Sequence, residues 1–167
     1  FVVTAVGPGI RWGGENGNGT WDTLTTTNWL VISDGSPSVF QTYDNILLDD
    51  VGSNTAITVS GTVVPYTILF SNIVDQYSFG GGAITTAQGF TKYGAGTVII
   101  SNTNPDWSGL MEINNGRVIL AGAVKDAATT AIRVNNGGNF VFGAQDRFGN
   151  HVDPVAATIL VNAGGVL

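Results

Sequence analysis

The chain has 167 residues, enough for one domain with a sizeable core, and a net charge of −6 with only six lysines and arginines. Those basic residues stand singly, which leaves no footprint for nucleic acid or an anionic membrane. Cysteine is absent, excluding disulfides and thiolate metal sites, and no apolar run reaches the ~18 residues that a membrane-spanning helix needs.

Charged residues make up 11% of the chain against 43% apolar ones, so Thr, Asn and Ser carry most of the polarity. Thr fits an exposed pleated face, while Asn and Gly fit turns; the composition predicts a packed β-rich protein.

In chain order, Phe1-Val2-Val3-Thr4-Ala5-Val6 predicts a strand that Gly7-Pro8-Gly9 breaks. As a terminal edge strand it either belongs to its own fold or adds to a neighbour's open edge. No basic segment precedes Phe1, so any signal peptide is expected to be gone already. Trp12, Trp21 and Trp29 follow among Gly, Asn and Thr, and the stretch from Trp12 to Trp21 reads as loop. Large aromatics in such a setting suit a buried cap on the end of a stack, or a platform on which sugar rings rest. Residues 1–45 are therefore assigned as a Trp-rich cap or assembly segment, and residues 46–167 as a run of strands. Asp44, Asp49 and Asp50 form the densest acidic group. Asp49 and Asp50 are adjacent, so on a strand they face opposite ways and cannot share a proton; turn chemistry or calcium remains.

Short strands are predicted near 46–49, 55–60, 62–70, 76–79, 83–86, 90–93, 97–101, 110–114, 117–121, 131–134, 139–142, 157–161 and 165–167, most of them separated by Gly or Asn clusters. No window has a helical period; Ala123 to Ala131 comes nearest, and its Thr129-Thr130 pair weakens it. Such a pattern allows a sandwich, a barrel or a solenoid.

A recurring phrase decides between them. Ile113-Asn114-Asn115-Gly116 returns as Val134-Asn135-Asn136-Gly137 and again as Val161-Asn162-Ala163-Gly164, at offsets of 21 and 27 residues. Each copy closes one strand and leads into another. Periods of roughly 20 to 50 residues mark stacked repeats, so the fold class is all-β, a β-solenoid, with a β-sandwich as the alternative. Asn115, Gly116, Asn136, Gly137 and Gly164 are the expected corner residues. The last copy stops in mid-repeat at Leu167, which suggests a segment of something longer or a unit continued by a neighbour.

The segment Phe90-Thr91-Lys92-Tyr93-Gly94-Ala95-Gly96-Thr97-Val98-Ile99-Ile100-Ser101 runs on through Asn104 and Trp107-Ser108-Gly109 to Ile113-Asn114-Asn115-Gly116-Arg117-Val118-Ile119-Leu120. It resembles the autotransporter-associated β-strand repeat of bacterial passenger domains and large surface proteins, over about 30 residues. The resemblance implies a right-handed parallel β-helix, extracellular or at the bacterial cell surface, usually without catalytic residues. Where that repeat commonly has Thr, Ser or Ala between its inward residues, this chain has Ile99 and Ile119.

Alternation places Val98, Ile100, Val118 and Leu120 inward, and Ile99, Ile119, Val141 and Leu160 outward. If rungs stack in register, those four form one apolar stripe, to be covered by the Trp-rich region or by another protomer. The expected function is a non-catalytic structural element, a filament or adhesin segment, that contacts other copies or neighbouring repeats. An alternative is a carbohydrate-binding adhesin module that meets a surface glycan through Trp12, Trp21, Trp29 or Trp107. A third reading, a polysaccharide lyase or hydrolase, needs a groove gathering Asp or Glu with Lys92, Arg117 or Arg133. No cofactor is expected: the lone His151 cannot build a zinc site, although Asp146, Asn150 and Asp153 beside it offer oxygen ligands of the kind calcium accepts.

Overall fold

A computed structural model describes residues 9–16, 18–102, 107, 109–122, 131–143 and 158–167. The strand expected over Phe1–Val6, the weak helical window from Ala123 and the loop around His151 with Asp146, Asn150 and Asp153 lie outside the described residues. So do Asn104, Asp106 and Ser108 of the repeat motif.

The described residues form no helix; their strands are β1 (Gly9–Trp12), β2 (Thr20–Trp21), β3 (Trp29–Val31), β4 (Pro37–Ser38), β5 (Asn45–Leu48), β6 (Ala56–Val63), β7 (Thr67–Phe70), β8 (Gln76–Ile84), β9 (Gly89–Lys92), β10 (Thr97–Ile100), β11 (Leu110–Ile113), β12 (Gly116–Leu120), β13 (Ala131–Val134), β14 (Gly138–Phe142) and β15 (Thr158–Val161). From β5 onward the odd strands build sheet A and the even strands sheet B, so that each rung contributes one strand to either sheet. Sheet A has the order β15-β13-β11-β9-β7-β5-β1-β3-β4, and sheet B the order β14-β12-β10-β8-β6-β2. All pairings from β5 to β15 are parallel. Strands wound this way make a β-solenoid, and the antiparallel sandwich is ruled out.

The interior consists of rows that run along the stack. In sheet A, Leu48, Phe70, Lys92, Ile113 and Val134 are successive register partners. In sheet B, Ile57, Phe79, Ile100, Leu120 and Phe142 do the same, beside Tyr77, Val98, Val118 and Phe140. β-branched and aromatic residues at every second position dictate this arrangement, because side chains alternate across a strand. Each fully buried side chain of this size contributes roughly 1.5–3 kcal/mol.

Two predicted boundaries move. The span 62–70 is cut at Pro65, which lacks the N–H that a ladder requires, and becomes the end of β6 and all of β7. Conversely, 76–79 and 83–86 merge into β8 through Gly80-Gly81-Gly82, with a register shift against β6 between Val59 and Thr62. A Cβ on Gly82 would collide with the Gly61 carbonyl, so the bulge needs glycine there. In the final predicted strand only Val166 pairs, bridging to Asn139.

The Trp-rich region departs further from expectation. The stretch read as loop contains the end of β1 and β2, and β1 already pairs in parallel with β5. The chain then doubles back: β3 is antiparallel to β1, and the two-residue β4 is antiparallel to β3, giving sheet A a hairpin edge that begins at Pro37. Trp12, Trp21 and Trp29 pack beneath it edge to face, with ring centroids 5.1 Å apart for Trp12–Trp29 and 5.3 Å for Trp21–Trp29. Phe40 and Phe79 join Trp21 at 5.3 and 6.3 Å. The cluster carries the aromatic core onward through Phe70, Phe90 and Trp107.

Candidate functional site

The corner that leads from sheet A to sheet B repeats in each rung, and the Asn/Gly phrases mark it. Gly116, Gly137 and Gly164 take φ values of 72°, 90° and 83°, which side chains with a Cβ rarely adopt. The amide side chains ahead of them form a ladder between rungs: Asn135 donates to Asn114 Oδ1 at 2.7 Å, and Asn162 donates to Asn135 Oδ1. Asn115 and Asn136 are both exposed, and Asn115 Oδ1 accepts the N–H of Gly116 on its own corner at 2.8 Å.

Two and three rungs earlier the same corner contains charges. Asp50 accepts three consecutive backbone N–H groups, from Ile73 (2.8 Å), Val74 (3.1 Å) and Asp75 (3.0 Å). These bonds, that from Asp75 foremost, hold its carboxyl below the usual pKa. Lys92 approaches from the other side. It occupies an interior row between Phe70 and Ile113, wholly buried, and its ammonium donates to the carbonyls of Asn72 (3.3 Å) and Gly94. Burial pushes its pKa down to about 8, against the pull of Asp50. Buried Asn72 completes the turn, donating to the carbonyls of Asp75 (2.6 Å) and Thr97 (3.2 Å). Tyr77 donates to the Asp49 carbonyl at 2.7 Å; burial, with Asp49, Asp75 and Asp50 nearby, raises its pKa.

This corner bears the largest apolar exposure of the described rungs. Ile73 is 63% exposed, Val74 83% and Tyr93 55%, with Val51 of the preceding corner at 57%. Ile73 and Tyr93 border a shallow depression with Ser71, Gly94, Ala95 and Asn115. The sequence reading missed this edge. Alternation carries no information in a turn, and the only available signal was two apolar residues, Ile73-Val74, between Asn72 and Asp75.

The expected outer stripe is formed in part. Ile99, Ile119 and Val141 are register partners on the outer face of β10, β12 and β14, and all three are half-buried. Beside them runs a polar row of Gln76, Thr97, Arg117 and Asn139. Leu160 does not belong to this stripe, and the expectation is corrected. It lies in sheet A, where its partner is Arg133, and is 49% exposed. The residues ahead of each Asn/Gly phrase are sheet A strands, so the equivalents of Leu160 are Arg133 and Glu112 rather than Ile119.

The sugar platform is also corrected. Trp12, Trp21 and Trp29 are 0% exposed and Trp107 is 1% exposed, so none of the four indoles offers a face to a ligand. Their burial closes the aromatic core instead. The basic residues named for a catalytic groove are spread apart: Lys92 is interior, Arg117 is on the outer face of sheet B, and Arg133 pairs with Glu112 at 3.2 Å outside sheet A. Asp49 pairs with Arg11 at 3.2 Å. Asp44, at the opposite end of β5 from Asp49, is buried, accepts the Gln41 N–H at 2.8 Å, and has its pKa raised by burial. Among the described residues no group of three or more His, Asp or Glu is placed to hold a metal ion.

These features define a parallel β-solenoid, and its two candidate surfaces are the outer face of sheet B and the charged corner beside it. Comparison with protein-family models, curated proteins and solved structures gave no match.

Proposed function

We propose that this chain is a non-catalytic structural β-solenoid of the bacterial cell surface, a filament or adhesin segment that works through contacts with other copies of itself. The observation that carries this reading is the apolar row Ile99–Ile119–Val141, held in register across three strands on an outward face. Apolar side chains aligned along the outside of a sheet lose solvation free energy until something covers them. Trp12, Trp21 and Trp29 do not cover them, because their indoles are buried in the core. Asp50 binds backbone N–H groups, and Asp49 and Glu112 pair with arginines, an arrangement suited to holding a scaffold. The bacterial surface setting rests on the motif resemblance of residues 90–120. The test is the mass of the particle in solution: the wild type forms assemblies, and Ile119→Lys, placed on the outer face, leaves monomers with unchanged circular dichroism. An Ile119→Lys protein that assembles like the wild type overturns the reading.

A further inference from the structure

The corner from Asn72 to Asp75 and the outer face of sheet B are complementary, and we propose that the first docks on the second in a neighbouring copy of this chain. The inference rests on the self-association reading and names the surface that meets the apolar row. Three observations carry it.

The corner is built to project. Val74 is 83% exposed and Ile73 63%, yet the backbone beneath them is bonded from both sides. Asp50 of the preceding rung takes the N–H groups of residues 73, 74 and 75, and Lys92 of the following rung takes the Asn72 carbonyl. Burying an ammonium among apolar side chains is unfavourable in itself. Here it fixes a turn, and a fixed turn loses little conformational freedom when it binds.

The apolar surfaces match in kind. Ile73 and Val74, with Tyr93 beside them, form a small knuckle, and Ile99, Ile119 and Val141 form a flat strip bordered by the small residues Ser101, Ala121 and Gly143.

The charges match as well. Arg117 stands exposed next to Ile119 and joins neither ion pair found among the described residues. Asp75 follows Val74 on the knuckle and is likewise outside both pairs. Docking Val74 on Ile119 brings Asp75 of one copy within reach of Arg117 of the next, where opposite charges fix register and orientation. The two surfaces are different patches of one molecule, so the contact is heterologous and propagates from copy to copy unless rotation closes it into a ring.

The experiment is sedimentation of the full 167-residue chain as wild type, Val74→Asp, Arg117→Asp, Asp75→Arg and the Arg117→Asp/Asp75→Arg double variant. All of these positions are at the surface, and circular dichroism checks that each variant folds. Val74→Asp is expected to abolish assembly, each single charge reversal to weaken it at least about tenfold, and the double reversal to restore it. Assembly by Val74→Asp at wild-type strength, or a double variant no better than the singles, refutes the knuckle. If Ile119→Lys blocks assembly and Val74→Asp does not, the structural role survives and this docking mode fails. A wild type that remains monomeric at every concentration sinks both.

Discussion

Lys92 is the least expected residue in the interior. One pKa unit corresponds to about 1.4 kcal/mol, so moving a lysine from 10.5 to about 8 opposes folding by on the order of 3 kcal/mol at neutral pH. The folded chain releases this proton at lower pH than the unfolded chain, so between pH 8 and 10 the unfolded state holds more protons and stability rises with pH. Urea unfolding of the wild type is expected to show that rise, and Lys92→Met to abolish it; an unchanged slope in the variant would contradict the assignment. The tyrosine beside it acts in the opposite sense at still higher pH, since the raised Tyr77 pKa keeps its proton on in the folded state. Position 92 was legible by parity, because Phe90 and Lys92 share a face of one strand, but charge argued for solvent. Burial of the three N-terminal indoles was one of the two readings that their setting allowed. Their fluorescence is expected to stay blue-shifted and unquenched by polysaccharide, and Trp29→Ala to lower stability by about 3–5 kcal/mol in chemical denaturation.

At the level of strands and corners, alternation and Asn/Gly punctuation were sufficient for β5 and for β9 to β15, and misplaced only the boundaries of β6, β7 and β8. Each is a run of inward and outward residues bounded by a residue that permits a turn. They were not sufficient for β2 to β4, where strands of two or three residues are too short to display a period. Nor could parity assign Leu160 to its sheet, because that requires counting two strands per rung. The corners themselves permit a sharp expectation. Gly116 has φ 72°, and a Cβ there would strike the carbonyls of Gly94 and Gly96 in the rung below. Gly116→Val is expected to lower stability by roughly 2 kcal/mol or more, read as a fall in the thermal midpoint, whereas the same change at exposed Gly61 meets no atom and adds only the strain of its own positive φ. Asn135→Ala removes both steps of the amide ladder and is expected to weaken the stack by about 1–2 kcal/mol.

The molecule as a whole is a one-dimensional object. Its stability is approximately a sum over rungs and the contacts between neighbouring rungs, so protection should vary along the axis instead of being uniform. The central strands β7 to β12 have a rung on either side, while β15 leaves Leu160 and Val161 at 49% and 42% exposure. Hydrogen exchange is expected to be slowest in β7–β12 and fastest in β15; equal protection throughout would mean that the chain opens as one unit. The other pole differs in kind. β4 is two residues long and opens with a proline that has no N–H to give, while its neighbour β3 runs against the direction of the stack. Among the described residues, that short hairpin edge offers sheet A a poorer template for strand-by-strand elongation than β15 offers at the opposite end.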